Sequence, residues 1–417
     1  MKRKGESLSS FFLFFIIPFL GFIISTRDLR KWINGIVFIL FSALWGYCMT
    51  FSFPPSDCYR IAAVFCQRPF FRFQSVLEQY DDGKLVDFYL ATANWFVHQF
   101  SANAKVFFCL LGFFFGLCCY ATIRELLITR RGHNDQYLKC IVFLLFSTAS
   151  FGHLAMPRFW TAAWLSAFLM IKFINGQLYW WPLVLLLPLI HFGFLPIAIV
   201  LISSIVFSRF FSKYEPTLFS FVVFCFIISF VLSSNILGSI IPEEWVSGEK
   251  ASSKFRDYVD SGIVSEHGAI VQRSAYRETN LMVTKAFQMV MKIAAMAVLS
   301  LIHHNKEWIK KNKGLWDCYI FTLLMASVCF FMGVVRTVGW RYTWTLWMPL
   351  YYLLYRLYDI TRAIKIKRTI LLLIPLNIYT IVFMFYVSYR NVDWKLFIMP
   401  LYSLIIDGFD FPPVQFV

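Results

Sequence analysis

The sequence predicts an all-α polytopic membrane protein of about eleven to thirteen transmembrane helices, and three observations carry that prediction. Of 417 residues, 59% are hydrophobic, 20% aromatic and only 15% charged, with a mean hydropathy of +0.64. Too little polar residue remains to skin a water-soluble body of this size, so the solvent is lipid. Lipid cannot satisfy backbone N–H and C=O groups, which leaves helices or a closed barrel. The apolar runs lack two-residue alternation and are roughly 16 to 22 residues long, which selects helices.

In chain order the candidate spans are 8–25, 33–53, 104–123, 138–155, 159–174, 178–191, 193–207, 216–241, 281–302, 315–335, 343–358 and 369–389. Segment 85–100, "LVDFYLATANWFVHQF", is half polar and reads as an interfacial or re-entrant helix. Pro182, Pro188 and Pro196 interrupt 178–207. That stretch reads as two short helices meeting near His191–Gly193, with one long kinked helix as the alternative. "GFFFG", Gly112 to Gly116, has the spacing of a close helix seam. Residues 1–417 form one integral-membrane domain with an outer loop at 54–84, a long outer loop at 242–280 and an outer tail at 390–417.

Orientation follows from lysine and arginine. Basic loops at 124–139, 209–213, 303–313 and 362–368 mark the cytoplasmic side. The net charge of +16 is therefore a topology signal, and no nucleic-acid partner is implied. Both "MKRK" and "RDLRK" flank the first apolar run, and a spanning helix would separate them. Parity puts 27–31 inside and the amino terminus outside. The first run also resembles a signal peptide, but it lacks a small-residue cleavage pattern and reads as a retained helix.

With this topology the isolated polar residues gather on the outer face: loop 54–84, the turn at Pro157–Arg158, the His191 turn, loop 242–280 and the turn "VRTVGWRY" from Val335 to Tyr342. Most of the ten cysteines fall inside spans and read as packing residues. Cys58 and Cys66 share the outer loop and could pair in an oxidising compartment. No CxxC or HExxH occurs, so no metal is expected.

An arginine near mid-membrane costs about 2.5–3.5 kcal/mol unless it snorkels, pairs or faces water. Arg158, Arg336 and Arg341 fall at outer helix ends, either as interfacial anchors or as hooks for an anionic substrate. Together they would suit a diphosphate, because each guanidinium offers a planar fork to phosphate oxygens. Arg273 and Arg277 in the long loop could join them. That loop carries both signs of charge and is long enough to fold over a cleft. Trp160, Trp340 and Tyr342 are either interface aromatics or sugar-stacking surfaces, and Tyr59 stands beside Asp57. Asp57 is a candidate base for a sugar hydroxyl, or else a helix cap or ion-pair partner. His191 is either a structural histidine or a second candidate base.

The order "PPSDCYR", "PRFWTAAWLSAFLMIKF", "LLPLIHFGFLPIAIVLI" and "VVRTVGWRYTWTLWMPLYYLLY" resembles the EpsG-like branch of the Wzy-type polysaccharide polymerases. The chain departs from that pattern at Phe159, where the family usually has glutamine or a similar residue, and at Ser56, where glycine is common. The resemblance implies a fold akin to the GT-C membrane glycosyltransferases and a site at the periplasmic face of a bacterial inner membrane. It implies a transferase that joins undecaprenyl-diphosphate-linked oligosaccharides, as donor and acceptor, into a surface polysaccharide. No cofactor is implied; a chain-length regulator protein is an implied partner. Asp57 and His191 would then serve catalysis, the five arginines the diphosphate, and Tyr59, Trp160, Trp340 and Tyr342 the sugars. A flippase for the same lipid-linked sugars and a membrane acyltransferase are the rival readings. The first would favour repeated halves, and none is seen; the second would take its acyl donor from the cytoplasmic side.

Overall fold

The computed structural model describes residues 2–51, 56–82, 85, 87–128, 136–231, 275–334 and 336–409. It is 86% helical. Among the described residues there is no strand, only an isolated bridge between Met49 and Val392. The helices, in chain order, are α1 (Lys2–Ile16), α2 (Pro18–Ser25), α3 (Trp32–Tyr47), α4 (Asp57–Gln67), α5 (Phe73–Asp81), α6 (Phe88–His98), α7 (Ala104–Ile128), α8 (Gln136–Thr148) and α9 (Pro157–Ile174). They continue as α10 (Leu186–Ile190), α11 (Leu195–Val206), α12 (Ser208–Lys213), α13 (Glu215–Val231), α14 (Ala275–His304), α15 (Lys306–Lys310), α16 (Lys313–Met332), α17 (Arg336–Thr361), α18 (Ile364–Asn391) and α19 (Leu401–Phe409).

Among the described residues, three segments are long and apolar enough to cross a membrane: Ala104–Ile128, Ala286–His304 and Lys313–Met332. Further apolar stretches, such as Trp32–Tyr47 and Glu215–Val231, are shorter. α7 is the ruler of the bundle. α3 lies antiparallel along it on a seam of small residues, where a Cβ on Gly46 would sit 2.0 Å from the Phe108 carbonyl and one on Gly112 2.4 Å from that of Ser42. The Ser42 hydroxyl donates to the Gly112 carbonyl at 2.7 Å. The "GFFFG" spacing thus does what it predicts, letting two backbones approach. α9 is buried on every side from Phe159 to Lys172, as befits a helix that is apolar all round.

α7 and α9 run parallel but out of step. Thr122 donates to the Trp164 carbonyl at 2.9 Å, and Lys172 pairs with Glu125 at 2.8 Å. α9 therefore begins about halfway along α7. The three prolines act as expected: 178–190 and α11 are separate pieces meeting at an extended His191 (φ −152°, ψ 113°), with a short 3₁₀ turn, Phe192–Phe194, at the tip.

Two expectations are corrected. The first apolar run does not cross. It folds back at Ile17–Pro18, where Ile17 is extended, and α2 packs against α1 with Gly21 against the Phe14 backbone. The Ser10 hydroxyl donates to the Asn34 side chain at 2.8 Å, and Asn34 in turn donates to the Asp28 carbonyl at 2.9 Å. Ser10 and residues 26–34 therefore share one end of the bundle, which removes the conflict that parity resolved by placing the amino terminus outside. A proline that starts a new helix made this reversal possible. Cys58 and Cys66 are not a disulfide. Both ride on α4, eight residues or about 12 Å of rise apart. Cys58 is buried, donating to the Asn391 side chain at 3.6 Å, and burial pushes its thiol pKa up.

Candidate functional site

Four of the expected outer residues, Asp57, Arg158, His191 and Arg341, come together around Phe159. Ser56 caps α4, accepting from the Tyr59 N–H at 3.3 Å, and so sets Asp57 in the first turn. One Asp57 oxygen pairs with Arg60 and the other with Arg341 of α17 at 3.4 Å. The Arg341 guanidinium carbon lies 5.9 Å from the Phe159 ring, within cation–π range.

Phe159, one of the two departures from the resembled pattern, is the hub. Its ring meets those of His191 at 5.5 Å, Phe194 at 5.0 Å and Tyr342 at 6.0 Å, all edge-on. Tyr342 donates its hydroxyl to the Gly193 carbonyl, tying α17 to the tip of the broken hairpin. His191 Nδ1 accepts from the Gly193 N–H at 3.0 Å. An accepting Nδ1 leaves the proton of a neutral imidazole on Nε2, so the ring's outer nitrogen is a donor.

Arg158 pairs with Asp87, a residue the sequence reading passed over. Asp87 precedes α6 without capping it. Its second oxygen accepts from the Phe192 N–H at 2.8 Å. One carboxylate therefore joins α6, α9 and the hairpin tip. Its side chain is 6% exposed, that of Arg158 31%.

Depth follows from α7. His98, at the far end of α6, packs on Phe65, which stacks on Phe107 in the first turns of α7. Tyr89, at the near end, meets Phe114, about 10 Å further down at 1.5 Å per residue. α6 thus lies alongside the first half of α7, and Arg158, at the start of α9, stands level with about the middle of α7, paired with Asp87.

Trp160 and Tyr342 do not offer sugar surfaces. Trp160 is fully buried against His153, with ring centroids 4.1 Å apart, and Tyr342 is 1% exposed. Its position two residues beyond Arg158, about 200° round the helix, turns Trp160 into the bundle, and Tyr342 spends its hydroxyl on Gly193. Tyr59 is half-buried on the core. α17 starts at Arg336, but the side chains of Arg336, Trp340 and Arg277 lie outside the described part of the chain, as does Arg273 entirely. No group of three or more histidine, cysteine, aspartate or glutamate side chains that could hold a metal occurs among the described residues. No protein-family model, curated protein or solved structure matches the chain.

Proposed function

We propose that this chain is a membrane glycosyltransferase of GT-C type, with about eleven crossings, in a bacterial inner membrane. It joins undecaprenyl-diphosphate-linked oligosaccharides into a surface polysaccharide at the outer face. The observation that carries the reading is the cluster of paired charge, Asp57–Arg341 and Arg158–Asp87, gathered around Phe159 from α4, α17, α9 and the start of α6. Ionisable groups inside so apolar a chain are costly and mark a substrate path.

The chemistry asks for two things. As the bond from the sugar's anomeric carbon to the phosphate oxygen breaks, its electron pair leaves with the diphosphate, and Arg158 and Arg341 offset that charge. As the acceptor hydroxyl forms its bond to the same carbon, its proton goes to Asp57. His191, whose Nε2 carries the proton, donates to a phosphate oxygen; this moves it from the role of base to that of an electrostatic partner.

The Arg158–Asp87 ion pair also favours the flippase reading, since translocation paths are lined in the same way. Purified protein in proteoliposomes, supplied with lipid-linked oligosaccharides extracted from the host, separates the two. A ladder of longer saccharides, lost in Arg158→Ala, supports the polymerase. Lipid-linked units moved across the vesicle without any ladder would replace it with the transporter.

A further inference from the structure

We propose that Asp87 is a placeholder: its carboxylate pairs with Arg158 and opposes any anion that binds there, so that a diphosphate is held loosely enough to leave. The inference rests on the diphosphate reading of the site. Three observations support it. Arg158 uses one nitrogen, Nη1, on Asp87, and 31% of its side chain is exposed. Asp87 is buried, so its charge acts across a short, poorly screened distance on whatever the fork receives. Its other oxygen holds the Phe192 N–H, which anchors the turn carrying His191. The residue therefore does two separable things: its acceptor oxygen positions the turn, and its charge sets affinity.

Asparagine separates them. Its amide oxygen still accepts from Phe192, but it no longer neutralises Arg158 or repels phosphate. For the product of the proposed reaction, a free lipid diphosphate, tighter binding means slower release. Asp87→Asn should therefore lower KM and kcat together, a split that loss of a merely structural contact does not produce.

The test uses the full chain in nanodiscs, with inorganic pyrophosphate and farnesyl diphosphate as probes and thermal shift as the readout. Asp87→Asn is expected to bind pyrophosphate about five- to tenfold more tightly than wild type, and adding Arg158→Gln should abolish the gain. Equal or weaker binding by the folded variant overturns the proposal. Asp87→Ser, whose hydroxyl also accepts from Phe192, carries the same expectation should the asparagine variant not fold. If neither folds, Asp87 serves the fold and the placeholder role is refuted. A gain with pyrophosphate, but no binding of farnesyl diphosphate by either protein, would sink the lipid-diphosphate reading and leave the placeholder standing.

Discussion

At the basic end, Glu215 is 4% exposed and takes Lys306 at 2.8 Å, Tyr319 at 2.9 Å and His303 at 3.0 Å. His303 is further stacked flat on Phe219, with centroids 3.8 Å apart. At the opposite end, Asp57 and Asp87 each divide two oxygens between two donors, and their arginines stay 23% and 31% exposed. The first arrangement saturates an acid with donors from neighbouring helix ends and locks α13, α14, α15 and α16 together. The second pairs two guanidinium groups, each with a carboxylate from another helix or helix start. Buried charge by itself does not mark function, nor does exposure of its cation, since Lys306 is 24% exposed; the two ends differ in the shape of the cation, a lone ammonium at one and planar forks at the other.

The comparison can be broken most directly at Arg158. Arg158→Lys keeps the charge but lacks the fork, and we expect ladder formation to fall about 100-fold or more. Full activity would make Arg158 a simple counter-ion, like Lys306. Next in size, Glu215→Ala strands Lys306 and should cost about 3 kcal/mol of stability, seen as a lower thermal midpoint in nanodiscs. Little change there, together with lost ladder formation, would reverse the roles assigned to the two ends.

Tyr342→Phe removes one hydrogen bond to Gly193 and should cost about 1 kcal/mol. Because that bond fixes the His191 turn, ladder formation should drop more than stability does; an equal loss would reduce Tyr342 to packing. The smallest effect sharpens the sidedness. Exposed Cys66 should react with a membrane-impermeant maleimide added from the outer face, whereas Cys58, buried and with its thiol pKa raised, should not. Labelling of Cys66 only from the cytoplasmic face would invert the topology.

Much of the candidate site was legible in advance. Arg158, Arg341, Asp57 and His191 stood out as polar groups in a lipid-solvated chain, and all four meet around Phe159 or its neighbours. Asp87 did not stand out, since a lone aspartate in a half-polar segment has no spacing to give it away. A signal was nonetheless there: a carboxylate inside so apolar a chain needs a cation, and Arg158 needed an anion. The assignment of Trp160 to sugar failed because neighbours on a helix point in different directions, and only packing tells which faces the interior.

Composition and the rhythm of apolar runs by themselves determined an almost entirely helical protein with helices long and apolar enough to cross a membrane, because lipid leaves the backbone few other choices. Proline positions determined the break at His191. Tertiary structure decided what depends on how the helices are staggered. α9 starts halfway along α7, so an arginine read as a rim residue stands level with the middle of that helix; α1 and α2 fold back, so a predicted crossing is a hairpin. Stagger and reversal arise from contacts between residues far apart in the chain, such as Thr122 with Trp164 and Ser10 with Asn34, which local periodicity does not encode.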